Sequence, residues 1–330
     1  MLTSDAERTV QARRVLASCA AVAIFDGFDV QAMAFVATRL SRQWSVPVSQ
    51  FGLVFAAALF GLLLGSLLVA PLADQVGRKP LAVGAAVWVG LATLTTAFCT
   101  TIPQVTAARF ATGIGLGAAI PVLVAVTHEA APPDRRTLYV TLMYCGFPTG
   151  GFLGGLFTAW ALPRLDWSTL FAGMGVLSLL LCLPLALVLE PTPSRARAFG
   201  RTRAPLPATH SEPLGTKISF AEMASRVKSL FVDGLALRTS LTWRLFIATL
   251  LNVYVLANWL PALLERRHFS ESAAAIAAGI ANLGGVMGGL ILGALVNRWG
   301  LRVLSMAYVL GALFLSLLGF VSGPVEPAYL

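Results

Sequence analysis

Long apolar stretches separated by short polar segments dominate the chain. A transmembrane helix needs about 20 consecutive, mostly apolar residues, and windows of that size give about nine predicted spans. The predicted spans are residues 15–37, 51–72, 81–98, 105–126, 138–162, 170–189, 243–264, 273–296 and 301–321. Few stretches alternate apolar and polar residues as the strands of a membrane β-barrel do. The pattern therefore predicts an all-α membrane protein built as a helical bundle.

One long polar segment divides the predicted spans into two groups. Residues 191–241 are rich in Arg and Pro and are predicted to be a cytoplasmic linker loop. The linker separates an N-terminal six-helix half, residues 1–190, from an incomplete C-terminal half of three helices, residues 242–330. Within the linker, residues 218–235 space their apolar side chains like one helical face. That segment suits either a helix on the membrane surface or a solvated connector.

Composition and charge agree with a membrane protein. Hydrophobic residues make up 57% of the 330 residues and charged residues only 12%, as expected for a chain that spans the bilayer several times. The net charge of +9 does not indicate nucleic acid, because the basic residues of the short segments concentrate on the side of the N-terminus. The positive-inside rule then predicts a multi-pass protein of the cytoplasmic (inner) membrane. Its N-terminus is predicted to be cytoplasmic and its C-terminus to lie on the outer side.

Two carboxylates lie near the middle of the first predicted span, at Asp26 and Asp29. An ionised side chain at such a depth costs at least about 2.5 kcal/mol, so these acids need a reason to be there. Helix positions three apart share a face, and both carboxyl groups are expected to point into the bundle interior or a polar cavity. In the alternative, the span begins after Asp29 and the acids lie among the headgroups, although residues 15–24 are too apolar for a loop.

A short repeat links the two predicted halves. Asp74 and Gly77 lie in the turn between the second and third spans, and Asn297 and Gly300 occupy the equivalent places between the eighth and ninth. Two related halves about a central loop are typical of secondary transporters. In such proteins the ligand site lies between the halves, near the middle of the membrane.

Several motifs carry a family resemblance over essentially the whole chain. The segment 72–79, with Asp74, Gly77, Arg78 and Lys79, resembles the loop signature of the major facilitator superfamily, and the segment 109–117 resembles its fourth-helix motif. The segments that resemble the narrower aromatic acid:proton symporter branch are 26–29, 113–121, 145–155 and 258–261. Members of the superfamily have twelve helices, so the resemblance implies a C-terminally truncated chain. Asn297 departs from the signature by replacing its carboxylate.

The resemblance implies a proton-coupled symporter that imports small aromatic or other organic carboxylic acids. Its expected partners are the acid, protons and the lipid bilayer, with no nucleic acid, no cofactor and no metal. The alternative is a truncated, non-transporting remnant or a regulatory membrane protein with the same half-fold. An enzyme is not expected, because the sequence contains no P-loop, metal-ligand cluster or nucleophile triad.

The resemblance also assigns roles to the polar and aromatic residues of the spans. Asp26 and Asp29 are the expected proton-coupling pair, because two nearby carboxylates in a low dielectric cannot both ionise cheaply. Arg109 is expected to neutralise a substrate carboxylate or pair with an acid of the first helix, or else to snorkel to the interface. The candidate substrate contacts, each aromatic one with plain packing as its alternative, are Phe25, Phe28, Tyr144, Phe147, Tyr254, Asn258 and Trp259.

A third group of residues is expected to act in conformational change. The turn residues Asp74, Gly77, Arg78 and Lys79 either gate the protein or simply anchor a loop. The resemblance implies that Arg78 reaches an acid at the end of the fourth helix, where Glu129 lies. Pro148 is expected to permit bending of the fifth span. The glycines expected to allow close helix approach are Gly146, Gly150, Gly154, Gly284, Gly285, Gly288, Gly289 and Gly293.

Overall fold

The structure is a computed structural model that describes residues 5–189, 236–300 and 302–321. These residues form helices joined by short turns, and no β-strand occurs among them. The helices are α1 (Asp5–Gln43), α2 (Phe51–Leu64), α3 (Ala73–Val76), α4 (Arg78–Thr96), α5 (Ile102–Ala130), α6 (Arg136–Ala161), α7 (Trp167–Val188), α8 (Ala236–Arg266), α9 (Glu271–Trp299) and α10 (Arg302–Val321). In the described part of the chain, eight helical segments are long and apolar enough to cross a membrane. This confirms the predicted all-α membrane fold.

The helices cover the predicted spans but not always with the predicted ends. Helix α8 begins at Ala236, inside the segment predicted as linker. The prediction ended the linker where polar residues give way to apolar ones, whereas backbone hydrogen bonds let a helix continue through polar positions. The rest of the linker, including the predicted surface helix at 218–235, lies outside the described residues. The same is true of residues 322–330 and hence of the C-terminus.

The second predicted span is not a uniform helix. Regular α2 ends at Leu64, a π-helical turn follows over Gly65–Val69, and a 3-10 turn over Ala70–Leu72 leads into α3. Pro71, in the 3-10 turn, has no backbone N–H to donate to a regular helix. The backbone hydrogen-bonding pattern of this span therefore changes before the turn to α4.

The two glycines of the sequence repeat have similar backbone conformations at two helix junctions. Gly77, between α3 and α4, has a φ of 106°, and Gly300, at the end of α9, has a φ of 74°. Positive φ values of this size favour glycine, which has no Cβ to clash. The equivalent turns of the two halves thus require glycine at equivalent places.

The helices pack around α1 and α5. Helix α1 contacts α6 and α7, α2 contacts α5, and α4 lies against both α5 and α7. One buried apolar cluster, which includes Leu40, Phe51 and Phe171, joins α1, α2, α5 and α7. Helix α9 packs mainly on α6, and α8 contacts α1. The second group of helices, α8 to α10, is thereby attached to the first group, α1 to α7, through α1 and α6.

Glycines provide the closest contact between α1 and α6. A Cβ atom added to Gly150 of α6 would overlap the carbonyl group of Ile24, and one added to Gly27 of α1 would overlap that of Phe147. The two backbones therefore approach as closely as small residues permit. This confirms the close approach predicted for Gly146, Gly150 and Gly154. The close approach predicted for Gly284, Gly285, Gly288 and Gly289 of α9 is not seen among the described residues, because an added Cβ there meets no described atom within 4 Å. The surroundings of Gly293 lie outside the described side chains.

We expect Gly150→Ala to destabilise the bundle, because the added methyl group would overlap the Ile24 carbonyl and force α1 and α6 apart. Overpacking of this kind costs about 1–3 kcal/mol. Thermal unfolding of the protein purified in detergent should show a clearly lower melting temperature. The control is Gly173→Ala in α7, where an added Cβ meets no described atom within 4 Å. Equal melting temperatures for the two variants would contradict the close α1–α6 contact.

Candidate functional site

An ion pair between Asp29 of α1 and Arg109 of α5 lies in the interior of the bundle. Arg109 Nη1 donates a hydrogen bond of 3.1 Å to Asp29 Oδ2. Asp29 is 0% exposed and Arg109 only 3%. Arg109 lies seven residues into α5, about 10 Å along the helix axis. The arginine therefore pairs with an acid of the first helix, and the alternative that it snorkels to the interface is wrong.

Two threonines of α4 add hydrogen bonds to this pair. Thr93 Oγ1 donates to Asp29 Oδ1 at 2.7 Å, and Arg109 Nη2 donates to Thr96 Oγ1 at 2.8 Å. The Thr96 hydroxyl donates in turn to the Ala92 carbonyl at 3.0 Å. A buried ion pair gains stability when its remaining polar atoms also find partners. Thr93 and Thr96 supply partners for Asp29 Oδ1 and Arg109 Nη2.

Phe171 of α7 lies against the guanidinium group. The centre of its ring is 5.2 Å from Arg109 Cζ, a distance suited to a cation–π interaction. Arg109 Nε has no hydrogen-bond partner among the residues that the structure describes. Sequence reasoning missed Phe171, Thr93 and Thr96. A threonine in an apolar helix can bond to its own i−4 carbonyl, so its presence there does not indicate a site.

Asp26 is also buried, at 2% exposure, but its surroundings differ from those of Asp29. Within the described part of the chain, its Oδ2 atom has no hydrogen-bond partner. Val22 and Ala23, one turn earlier on α1, belong to an apolar cluster of α1, α4, α5 and α7. Both acids lie well inside the candidate membrane span Thr9–Gln43, so the alternative that they lie among headgroups at a span end is wrong.

A small cavity lies beside the ion pair, between α1, α2, α5 and α8. Its volume is about 30 Å³, room for about two water molecules. Its polar lining comes from Asp29, Arg109, Thr112, Tyr254 and Asn258. Sites for small organic ligands usually measure about 300 Å³ or more. An aromatic acid therefore does not fit the cavity in this arrangement of the helices.

Three of the predicted substrate contacts lie at or next to this cavity. Tyr254 and Asn258 of α8 line it, and Asn258 Nδ2 donates to the Tyr254 carbonyl at 2.8 Å. Trp259 packs edge to face on Phe55 of α2 with ring centres 5.6 Å apart, and Phe55 lines the cavity. Helix α8 thus lines the cavity beside the ion pair with Tyr254 and Asn258, and Trp259 of the same helix contacts Phe55 of α2.

The other predicted aromatic contacts do not line this cavity. Phe25 lies in a buried apolar cluster, and Phe28 packs edge to face on Phe157 with ring centres 6.0 Å apart. Phe147 is partly buried and Tyr144 about half exposed, both on α6. Their role in substrate binding stays a prediction.

The position of α6 explains why its aromatic residues are remote from the ion pair. Gly27, which faces α6, lies two residues from Asp29 and therefore about 200° around α1. Helix α6 thus contacts the face of α1 opposite to Asp29. The sequence motif 145–155 lies on α6 and so cannot reach Arg109 directly.

The turn between α3 and α4 forms the contact that the resemblance implied. Arg78 makes an ion pair with Glu129 near the end of α5, while Asp74 is exposed and Lys79 is half-buried. Gly77 supplies the positive φ of the turn. The geometry connects the turn to α5, and the gating role of these residues stays a prediction.

Pro148 lies inside α6, which continues through it from Arg136 to Ala161. The next residue, Thr149, donates its hydroxyl hydrogen to the Cys145 carbonyl at 2.6 Å. That bond supports the helix beside the residue that lacks a backbone N–H. Bending at Pro148 stays a prediction.

At the far end of α1, Arg42 joins both helices of the second group that lie nearby. Its Nη2 atom donates to Glu265 Oε2 of α8 at 2.9 Å and to Glu271 Oε1 of α9 at 2.6 Å. The Arg42 side chain is 60% exposed, whereas the Glu265 side chain is 6% exposed and the Glu271 side chain 31%. This contact therefore connects α1 to α8 and α9 at a partly buried site.

Apolar helices around a buried ion pair, with a small and mostly apolar cavity beside it, define a multi-pass membrane protein with a polar site in its interior. Residues 18–330 match the family profile described as the Major Facilitator Superfamily. The chain belongs to this superfamily, as its motifs predicted. The family consists of transporters, which confirms the expectation that the chain is not an enzyme.

Similar proteins confirm the narrower resemblance to transporters of aromatic acids. The gallate transporter of Pseudomonas putida is 33% identical over 319 residues, which cover 93% of this chain and 71% of that protein. The 3-(3-hydroxy-phenyl)propionate transporter of Escherichia coli (strain K12) is 35% identical over 292 residues, covering 88% and 66% respectively. The 4-hydroxybenzoate transporter of Pseudomonas putida is 33% identical over 313 residues, covering 91% and 70%. The chain thus spans about two thirds of the length of these relatives.

Solved structures show the same fold. A bacterial homologue of the human lysosomal transporter Spinster, in an inward-facing and unoccupied conformation, matches with a TM-score of 0.68 at 18% identity. The match covers 88% of this chain and 64% of that one. A D-xylose-proton symporter matches with a TM-score of 0.61 at 16% identity, covering 86% and 69%. At these identities the likeness concerns the fold alone.

We expect Arg109→Gln to destabilise the protein strongly, because Asp29 is left buried without its cation. Breaking a buried ion pair from one side costs about 3–5 kcal/mol. The double variant Asp29→Asn/Arg109→Gln carries neutral amides at both positions and should recover most of the loss. Melting temperatures of the proteins purified in detergent measure both effects.

Arg135→Gln is the matched control, since Arg135 is an exposed arginine near the start of α6. Its melting temperature should stay close to that of the wild type. If the single Arg109 variant and the double variant unfold at the same temperature, the ion pair does not contribute as described.

Proposed function

We propose that this protein is a proton-coupled secondary transporter that imports small aromatic carboxylic acids across the cytoplasmic membrane. The observation that carries the proposal is the buried Asp29–Arg109 pair, which borders a small cavity between the helices. Relatives named as transporters of gallate, hydroxyphenylpropionate and 4-hydroxybenzoate support the substrate class. All three substrates combine a carboxylate with a hydroxylated ring.

Arg109 is the proposed partner of the substrate carboxylate. A guanidinium can bind a carboxylate through two parallel hydrogen bonds, but one side of Arg109 is already bonded to Asp29. A second buried anion beside Asp29 would leave the site with an excess negative charge at high cost. The substrate therefore replaces Asp29 at Arg109 only when Asp29 takes up a proton.

This exchange keeps the site neutral at every stage. Before it, the charges of Asp29 and Arg109 cancel, and after it the charges of the substrate carboxylate and Arg109 cancel. The protonated carboxyl group of Asp29 keeps a partner in Thr93, whose hydroxyl can accept as well as donate a hydrogen bond. One proton thus accompanies each carboxylate into the site.

Asp26 is the proposed second proton site. It lies one turn from Asp29, is buried, and has no hydrogen-bond partner for Oδ2 within the described residues. Import of one anion with two protons would move net positive charge inward. The membrane potential would then drive uptake by about 2.3 kcal/mol per charge per 100 mV.

The ring of the substrate is proposed to occupy an enlarged form of the cavity. Met33, Phe55 and Leu116 give it apolar walls, and Tyr254 and Asn258 give polar groups for ring hydroxyls. The cavity enlarges if α8 moves away from α2 and α5, which breaks the contact between Phe55 and Trp259. With the N-terminus in the cytoplasm, the Arg42 contacts to α8 and α9 lie on the outer side and the Arg78–Glu129 pair on the inner side.

Uptake of labelled 4-hydroxybenzoate by cells that express the protein tests the proposal. We expect uptake that increases as the external pH falls and that stops when a proton uncoupler is added. Asp29→Asn should reduce uptake by about tenfold or more, because an amide at this position cannot take up and release the proton that accompanies the substrate. The control Asp166→Asn removes an acid whose side chain is 81% exposed and should transport like the wild type.

Transport that ignores both the uncoupler and Asp29→Asn would contradict the proton-coupling role. If the protein is folded and inserted in the membrane but neither binds nor takes up any aromatic acid, the transporter proposal is wrong. That result would favour a non-transporting membrane protein with the same fold.

A further inference from the structure

Two amide side chains join α1 to α9 inside the bundle. Gln31 Nε2 donates to Asn282 Oδ1 at 3.0 Å, and Asn282 Nδ2 donates to Gln31 Oε1 at 3.0 Å. Asn282 Nδ2 also donates to the Ala278 carbonyl one turn earlier on α9 at 2.8 Å. Gln31 is 5% exposed. Each amide therefore serves the other as donor and acceptor, an arrangement that depends on one relative position of the two helices.

The pair lies on the opposite face of α1 from the ion pair. Gln31 follows Asp29 by two residues, so the two side chains point about 200° apart around the helix. On one face, Arg109 and Thr93 bind Asp29, and on the other, Asn282 binds Gln31. Polar contacts thus restrain the rotation of α1 about its axis from both sides.

Gly151 of α6 lies directly against the two amides. A Cβ atom added to this glycine would be 2.9 Å from Asn282 Oδ1 and from Gln31 Oε1. The pair is therefore enclosed by a third helix that leaves no room for a larger residue. Gly151→Ala consequently offers a way to displace the amides while leaving both of them in the chain.

We propose that Gln31 and Asn282 are positioning residues for the Asp29–Arg109 site. Their hydrogen bonds keep α1 in the rotation that presents Asp29 to Arg109, and they link that rotation to α9. When α9 moves relative to α1, the hydrogen bonds between Gln31 and Asn282 break. The rotation of α1 is then restrained only on the face that bears Asp29. The exchange of Asp29 for a substrate carboxylate is thereby coupled to the movement of the second group of helices, a consequence that rests on the proposed function.

A plain packing role makes a different prediction. Interhelical hydrogen bonds between polar side chains in membranes contribute about 0.6 kcal/mol on average, and loss of such a bond would lower stability independently of the ion pair. A positioning role instead requires that loss of the amide pair weakens the ion pair itself. The two roles therefore differ in whether the effects of two mutations add.

The deciding experiment is a double-mutant cycle between Gln31→Leu and Arg109→Gln, measured by thermal unfolding of the full chain in detergent without substrate. We expect Arg109→Gln to lower the melting temperature less than half as much in the Gln31→Leu background as in the wild type. The matched control is Gln50→Leu, an exposed glutamine before α2, which should leave the effect of Arg109→Gln unchanged. Additive effects of Gln31→Leu and Arg109→Gln would overturn the positioning role.

Binding of 4-hydroxybenzoate to the same proteins, measured over a range of pH, extends the test to function. Gln31→Leu, Asn282→Leu and Gly151→Ala should each weaken binding about fivefold or more and shift its pH midpoint, whereas Gly173→Ala should not. The double variant Gln31→Leu/Asn282→Leu should bind no more weakly than either single variant, because both residues act through one contact.

Thermal unfolding and ligand binding test the positioning role and the proposed function separately. A wild-type protein that does not bind aromatic acids would contradict the proposed function, while the unfolding cycle would still decide the positioning role. If the variants bind 4-hydroxybenzoate with wild-type affinity and pH dependence but have lower melting temperatures, the amide pair has only a packing role.

Discussion

A buried arginine imposes the strongest constraint on this structure. Its charge cannot be removed by losing a proton, so the interior must provide an anion and hydrogen-bond acceptors at the same depth. Asp29 provides the anion, Thr93 and Thr96 add hydrogen bonds to the pair, and Phe171 lies against the guanidinium. These side chains come from α1, α4 and α7, and Arg109 comes from α5. The contacts of Arg109 therefore fix how these four helices lie relative to one another. In the proposed mechanism, this site accepts a new anion by exchanging one carboxylate for another.

Helix α1 connects that constraint to the rest of the molecule. One of its faces bears Asp29, the opposite face bears Gln31, and its far end bears Arg42, which contacts α8 and α9. Glycines allow this helix to lie against the backbone of α6, leaving little freedom for it to tilt. A movement of α8 or α9 therefore acts on the same helix that presents the acid to Arg109. Substrate exchange and helix movement are linked through α1 in this account.

Physical reasoning from the sequence predicted the helices, because a chain in lipid must satisfy its backbone polar groups within each span and the apolar runs have the necessary length. It also singled out Asp29, since an ionised side chain inside a span is costly, whereas the Arg78–Glu129 contact was implied by the family resemblance. It did not predict which side chains meet. Tyr144 and Phe28 were predicted to contact substrate but do not line the cavity, since residue type does not reveal the face on which a neighbouring helix packs. The Gln31–Asn282 pair joins residues 251 positions apart, and no local periodicity signals such a contact.

The most direct test of the central claim is a count of protons taken up when substrate binds. The purified protein is mixed with 4-hydroxybenzoate in a weakly buffered solution, and the pH change is compared with the amount of ligand bound. Exchange of Asp29 for the substrate carboxylate predicts that Asp29 takes up about one proton per anion bound, in addition to any proton taken up by Asp26, because the number of protons bound differs between the two states. It also predicts that this uptake is lost in Asp29→Asn. Binding without proton uptake, or equal uptake in the wild type and Asp29→Asn, would contradict the account.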